Sequence, residues 1–320
     1  AADFWTVCPV VDLRRHDGVL CEGPNVSHCV RCIASRSADP RLQKVARLVP
    51  GAVTGAAGLA SRTPLPRFSF PLRQIEAVRE RPAYIRDRMR SVDQILAYTH
   101  FTRDLLVANG IGSGKIRVSP YGIDTSHVAH VPSERRPSVT LRVGFVGTLA
   151  PHKGPDVLVR AFKMLPPEMD ATLYLHGSEK GYEAYASGLR ALAADDGRVS
   201  FPGPFSREEL GSVLVDLDVL VVPSRWYENA PGVIFEAFAA GMPVIATDLG
   251  GMSEFVKPGK NGLLFALEDE EDLAGWLRTL IEDIGLLERL RAGIEPVKTV
   301  GEYAGELIGL YGTLAGRSGR

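Results

Sequence analysis

Two glutamates eight positions apart, Glu228 and Glu236, lie in the run Pro223-Ser-Arg-Trp-Tyr-Glu-Asn-Ala-Pro-Gly-Val-Ile-Phe-Glu-Ala-Phe. An ionised carboxylate only accepts hydrogen bonds, so a pair of them suits the neighbouring hydroxyls of a sugar. The apolar residues 217–222 just ahead read as a buried parallel strand, 223–230 as the loop at its C-terminal end, and 231–240 as the next helix. Pro231 is tolerated in a first helical turn, and Gly241 with Pro243 stops the helix before the strand 244–247. Glu228 and Glu236 then face one cleft, together with the loop residues Asn229 and Ala230. The unpaired N–H groups of Gly232 and Val233 at the helix start favour an anion there. A phosphate ester with hydroxylated groups on either side satisfies this arrangement.

Further segments extend the pattern: Val146-Gly-Thr-Leu-Ala-Pro-His-Lys-Gly154, Pro243-Val-Ile-Ala246, Gly250-Gly251, Glu254 and Asn261-Gly-Leu-Leu-Phe265. With the acidic pair, in this order and spacing, they make the chain resemble the retaining glycosyltransferases of family 4, from Asp3 to about residue 285. The resemblance implies an α/β protein of the two-domain GT-B fold. It implies transfer of a hexosyl group from a nucleotide-diphosphate sugar to a saccharide or lipid-linked acceptor, as in polysaccharide or cell-envelope biosynthesis. Anomeric configuration would be retained by front-face attack, the leaving phosphate helping to take the acceptor proton. No cofactor is expected for catalysis, no divalent metal at the pyrophosphate and no nucleic-acid partner.

The same resemblance assigns roles. Lys153 matches the lysine on the donor phosphates, where a charge-assisted hydrogen bond is worth about 1.5–3 kcal/mol, with Gly147 and Thr148 in the same loop. Glu228 matches the glutamate that accepts from donor-sugar hydroxyls and stabilises positive charge at the ring, so Glu228 and Lys153 are the expected catalytic residues. Glu236 matches the ribose-binding glutamate, and the loop with Gly203 and Phe205 lies where the base is held. The chain departs from the family twice. Thr148 stands where an arginine is common, five positions before the lysine; Arg225 is placed to supply that charge, unless it pairs with an acidic neighbour. Ala2 stands where the family has a cleft histidine, for which His100 and His152 are conceivable substitutes. Two rival classes follow: a non-catalytic nucleotide-sugar-binding protein, favoured by Ala2, and a GT-B epimerase, disfavoured by the acidic pair.

The elements that position these residues begin near residue 138. Strands at 142–147, 171–176, 198–201, 217–222 and 244–247 alternate with helices at 156–165, 182–194, 207–214 and 232–240, the pattern of a complete doubly wound parallel sheet. The expected division is an acceptor-side domain at 1–136, a nucleotide-sugar-binding Rossmann-like domain at 137–298, and a helix at 299–320 that the family places back against the first domain. That helix puts Val300, Tyr303, Leu307, Leu310, Tyr311 and Leu314 on one stripe. The first 130 residues show only two clear strands, 94–99 and 115–119, and residues 121–124 resemble the segment closing the first domain. Against the family, leading strands and a glycine-rich loop are missing, as in an N-terminally truncated chain.

Composition sets the outer bounds. A chain of 320 residues with 45% hydrophobic content supplies two cores. No apolar run is long enough to span a membrane and the first residues lack a signal-peptide pattern, which predicts a cytoplasmic protein. Residues 1–136 hold 20 Lys and Arg against 12 Asp and Glu, whereas 137–320 hold 17 against 26. That asymmetry is compatible with a basic half resting on anionic lipid at the inner membrane face. The densest basic stretch, Arg73 to Arg90, reads as a solvated helix face that Pro82 interrupts. All four cysteines, Cys8, Cys21, Cys29 and Cys32, fall in the first 32 residues. Their spacing suits a structural zinc, with His16 and His28 as substitute ligands; the alternative is four free or buried thiols.

Overall fold

The computed structural model describes residues 3–40, 43, 69–128 and 140–318. It divides into two compact units, Ala1–Ser119 and Pro120–Arg320, so the division precedes the one expected near residue 136. Ala2 and the expected linker at 131–138 lie outside the described residues.

The first unit holds α1 (Val26–Ser35), α2 (Ser69–Arg90), β1 (Ile95–Ala97), α3 (His100–Ala108) and β2 (Ile116–Val118). Asn25 caps α1 by accepting from the His28 N–H at 3.3 Å, and Thr99 caps α3 through the Thr102 N–H at 3.1 Å, each satisfying an otherwise orphaned donor. β1 and β2 pair in parallel, Ile95 opposite Ile116. Phe4 is buried and meets Phe101 edge to face at 6.0 Å. Contrary to expectation, Pro82 does not interrupt the basic helix: α2 runs 22 residues with Pro82 inside it. The lost backbone hydrogen bond is offset by anchors beside it. Ile85 is buried, and Arg81 packs over the Trp5 ring while donating to the Trp5 carbonyl. Arg81 is therefore not part of a solvated face.

The second unit carries β3 (Leu141–Val146), α4 (Pro155–Lys163), β4 (Ala171–His176), α5 (Glu183–Ala193), β5 (Val199–Gly203), α6 (Leu210–Val215), β6 (Val219–Val222), α7 (Gly232–Ala239), β7 (Val244–Thr247), α8 (Met252–Phe255), β8 (Gly262–Phe265), α9 (Glu270–Glu282), α10 (Ile284–Ala292) and α11 (Val300–Ser318). Its six strands are ordered β5-β4-β3-β6-β7-β8 and all pairs are parallel. Every residue of β6 and β7 is buried, which is why these segments read as continuous apolar runs rather than alternating ones. Two clusters close the faces: one around Val143, Phe162, Leu173 and Leu277, the other around Leu214, Leu220, Ile234 and Val244.

The chain reverses direction across the sheet between β3 and β6, so the loops after these strands open a crevice at their carboxyl ends, where open α/β sheets bind ligands. Two glycines let the crevice walls touch. Gly154 has φ 68°, and a Cβ there would lie 2.0 Å from the Pro223 carbonyl oxygen. A Cβ on Gly251 would lie 1.9 Å from the Asn229 carbonyl oxygen, and its N–H donates to the Glu228 carbonyl at 3.0 Å. Residues 121–124, expected to close the first domain, belong to the second unit: the Ile123 N–H donates to the Lys298 carbonyl at 3.0 Å and the Val300 N–H to the Ile123 carbonyl at 3.1 Å. On α11, Tyr303, Leu307, Leu310 and Leu314 are half-buried, while Val300 and Tyr311 are exposed. The expected stripe is therefore partial within this unit.

Candidate functional site

Lys153 ends the short turn Pro151–Lys153 after β3, and Glu228 sits in the loop after β6. Because Gly154 admits the Pro223 backbone, the two side chains meet: Lys153 Nζ donates to Glu228 Oε1 at 2.6 Å. Ser224 Oγ donates to the same oxygen at 3.0 Å and the Trp226 indole N–H at 2.8 Å. Three donors thus fix one carboxylate oxygen, and none among the described residues donates to Oε2. Lys153 Nζ also lies 5.4 Å from the Trp226 ring centroid, and the His152 ring packs on that indole at 4.4 Å.

A cavity of about 370 Å³ gathers Gly147, Thr148, Lys153, Glu228, Ala230, Pro231, Gly232 and Val233. The expected phosphate-side residues therefore line one space. No side chain caps the N-terminus of α7, so its first N–H groups remain available for an anion. Asn229 is buried, its carbonyl against Gly251. Gly203 and Phe205 line a separate cavity of about 620 Å³ with Tyr174, His176, Glu209 and Asp216. Burial there holds the His176 imidazole below its ordinary value, with Asp216 opposing, so the ring presents a neutral polar edge near neutral pH.

Arg225, placed in sequence to supply the charge that Thr148 lacks, is paired with acidic side chains and does not line the cavity around Lys153. Its guanidinium grips Asp156 with two bonds of 2.7 and 2.8 Å, reaches the Pro151 carbonyl at 3.3 Å and pairs with Glu268. Asp156 also accepts from Tyr185 and, at 3.0 Å, from Arg160. Burial raises the Asp156 carboxyl, but the hydrogen bonds from Arg225 and Tyr185 outweigh it and leave it below the usual carboxylate range. The pair joins the β6 loop to the first turn of α4, directly after Lys153. Arg225 thus pairs with acidic neighbours, the alternative stated for it above.

Glu236 lies on α7, about a quarter exposed, and burial raises its carboxyl against the opposing pull of His127 and Arg207. His127 Nε2 is 3.9 Å from Glu236 Oε1. Tyr121 completes this side, donating to the Ala230 carbonyl at 3.1 Å and meeting Phe235 edge to face. Sequence reasoning missed Ser224, Trp226, Tyr121 and His127. The first two stand in the same short loop as Glu228 and their donor groups were the available signal; Tyr121 and His127 lie more than a hundred residues away with no spacing to link them.

The four cysteines are free; Cys8, Cys29 and Cys32 are buried and Cys21 donates to the Gly23 carbonyl at 3.1 Å. Burial pushes the Cys32 thiol up to about 11, and charge on Cys29, Cys8 and Cys21 adds to it. Among the described residues, however, no three His, Cys, Asp or Glu side chains form a group placed to hold a metal ion, and no helix is long and apolar enough to cross a membrane.

Residues 140–283 match the sequence model of the glycosyl transferases group 1 family, and are a domain of that family. Among curated proteins, the D-inositol 3-phosphate glycosyltransferase of Stackebrandtia nassauensis is 36% identical over 217 residues, which cover 62% of this chain and 48% of that protein. The enzyme of the same name from Jonesia denitrificans is 38% identical over 156 residues, covering 47% and 37%. The chain spans about half the length, or less, of these relatives. Among solved structures, Anabaena HepE in complex with UDP-glucose aligns with a TM-score of 0.61 at 22% identity, covering 72% of this chain and 67% of that one. Sucrose-phosphate synthase from Thermosynechococcus elongatus aligns with a TM-score of 0.62 at 26% identity, covering 75% and 62%. The fold is GT-B type, as the neighbours are GT-B glycosyltransferases.

Proposed function

We propose that the crevice at the ends of β3 and β6 binds a nucleotide-diphosphate sugar and that the chain transfers its hexosyl group, with retention, to a saccharide or lipid-linked acceptor. The observation that carries this reading is the convergence of Lys153, Ser224 and Trp226 on Glu228 Oε1 in a cavity beside the uncapped start of α7. Lys153 would stabilise charge growing on the leaving pyrophosphate, assisted by the Gly232 and Val233 N–H groups. Glu228 Oε2 would accept from donor-sugar hydroxyls while the fixed carboxylate stabilises positive charge at the ring, and Glu236 would hold the ribose. HepE was solved in complex with UDP-glucose, which makes UDP and UDP-glucose the first probes. Calorimetry on the 320-residue chain tests the site: affinity for UDP should fall in Lys153→Ala and Glu236→Ala, and unchanged affinity in both overturns the assignment. UDP binding without turnover against a panel of acceptors would favour the rival reading, a nucleotide-sugar-binding protein without catalysis.

Four further proposals stand apart from this site. Residence in the cytoplasm, and contact of the basic half with anionic lipid, are tested by sedimentation with anionic and neutral vesicles at two salt concentrations. Salt must weaken the attraction, since the Debye length shrinks to about 8 Å at physiological ionic strength. A structural zinc would be held by the thiolates of Cys8, Cys21, Cys29 and Cys32 in a tetrahedral set. Elemental analysis of the purified chain decides it: close to one zinc per molecule supports the proposal, and metal-free protein with four titrating thiols refutes it. Docking of α11 on the acceptor-side domain is tested by hydrogen exchange in a chain ending before Val300, where residues of the first unit should lose protection.

A further inference from the structure

Beside Glu236, the turn ending at Val128 buries a histidine in a way that isolated packing does not explain. The His127 side chain is 7% exposed, and neither ring nitrogen has a hydrogen-bond partner among the described residues. A buried polar ring without a partner is unfavourable, and such a group calls for a specific reason. Glu236 is too far for a direct bond: His127 Nε2 stands 3.9 Å from Glu236 Oε1. Asp124 and Arg207 flank the pair, 3.7 Å apart and both largely exposed. Glu236 keeps an open side, at 27% exposure.

The 3.9 Å gap has the width of one hydroxyl. An oxygen placed about 2.7 Å from the carboxylate and about 2.9 Å from the ring nitrogen spans it with an angle near 90° at the oxygen. The chemistry matches as well as the distance. Glu236, when ionised, only accepts, and His127 with a proton on Nε2 donates there. The bridging atom must therefore donate to one and accept from the other, which a hydroxyl does and an ether oxygen or an amide N–H does not. We propose that His127 and Glu236 together clamp one hydroxyl of the pentose of the donor nucleotide, making His127 a binding residue that selects ribonucleotides over their deoxy counterparts. This rests on the reading that Glu236 faces the ribose.

Calorimetry with UDP, 2′-deoxy-UDP and 3′-deoxy-UDP tests it on the full chain. The unaltered protein should bind UDP at least about tenfold more tightly than one of the two deoxy compounds. In His127→Ala, UDP should lose most of that tenfold while the same deoxy compound loses little, so the discrimination collapses. His127→Gln, whose amide can donate from a similar place, should restore part of it. Lys153→Ala should weaken all three compounds alike and keep their ratio, since it acts on the phosphates; thermal melts establish that each variant is folded. Unchanged ribose-to-deoxyribose discrimination in folded His127→Ala overturns the clamp and leaves the donor site standing. Failure of the unaltered protein to bind any nucleoside diphosphate overturns the donor-site reading and the clamp with it.

Discussion

The two sides of the crevice are built in opposite ways. On the loop side, the acidic groups are held by several donors: Glu228 Oε1 takes three, and Asp156 takes Arg225, Tyr185 and Arg160. On the helix side, Glu236 is half-buried with its carboxyl held up by desolvation, and the facing histidine makes no hydrogen bond among the described residues. The contrast separates two tasks. A group that must meet a charge appearing only at the transition state is best fixed in advance, because reorganising it then would cost rate. A group that holds a ground-state hydroxyl can wait for the ligand to complete it.

The largest effect should come from breaking the loop side at its base. Asp156→Ala leaves the buried Arg225 cation without its bidentate partner, and the expected loss of stability is about 3–5 kcal/mol, read as a lowered Tm. Arg225→Ala should cost a similar amount, and the double variant less than their sum, because the two report on one pair. Next is Lys153→Ala, which should lower kcat about 10²–10³-fold if the lysine meets the departing pyrophosphate; an equal loss for a poor and a good leaving group would contradict that role. Trp226→Phe keeps the ring under His152 and removes only the indole N–H. A loss near 1 kcal/mol in transition-state stabilisation, about fivefold in kcat/KM, is expected.

Acidity gives the smallest effect and opposite signs on the two sides. Asp156 titrates below its unfolded value, so its contribution is present above the unfolded pKa and is lost as pH falls through the folded one. Glu236 titrates above its unfolded value, so ionising it at neutral pH opposes folding, and that cost is relieved as pH falls. Glu236→Gln should therefore raise Tm at neutral pH, by no more than about 1 kcal/mol in stability, while weakening nucleotide binding. In the unaltered protein, UDP affinity should start to fall on acidification at a higher pH than an ordinary glutamate would give. A Tm gain that persists at pH 4 would show that the Gln variant acts through packing instead.

Much of the second unit was legible because β6 and β7 are buried on both faces and read as uninterrupted apolar runs, while β4 alternates buried and half-buried positions. The strands 171–176 and 244–247 came out residue for residue as β4 and β7. Lys153 and Glu228 were legible as well, since both stand in loops directly after such strands. What escaped was set by contacts distant in sequence. Arg225 lies two residues from the Pro223 backbone and three from Glu228, yet its partner, Asp156, is 69 positions away. Pro82 read as a helix stop because a local rule was applied where Ile85 and the Trp5 contact prevail. The cysteines, clustered in sequence, are free thiols, three of them buried.

Gly154 carries a consequence for the inheritance of this protein. Every missense change that one base can make in a glycine codon adds a Cβ, and at position 154 that atom would fall 2.0 Å from the Pro223 carbonyl oxygen in a backbone held at φ 68°. Alanine and tryptophan are thus equally forbidden at the first atom, and the site has no conservative neighbour in sequence space. Such a variant would retain every chemically active side chain of the crevice while forcing the β3 and β6 loops apart. It supplies the laboratory with a control that no active-site alanine can provide, a protein whose functional groups are all present and whose spacing alone is wrong.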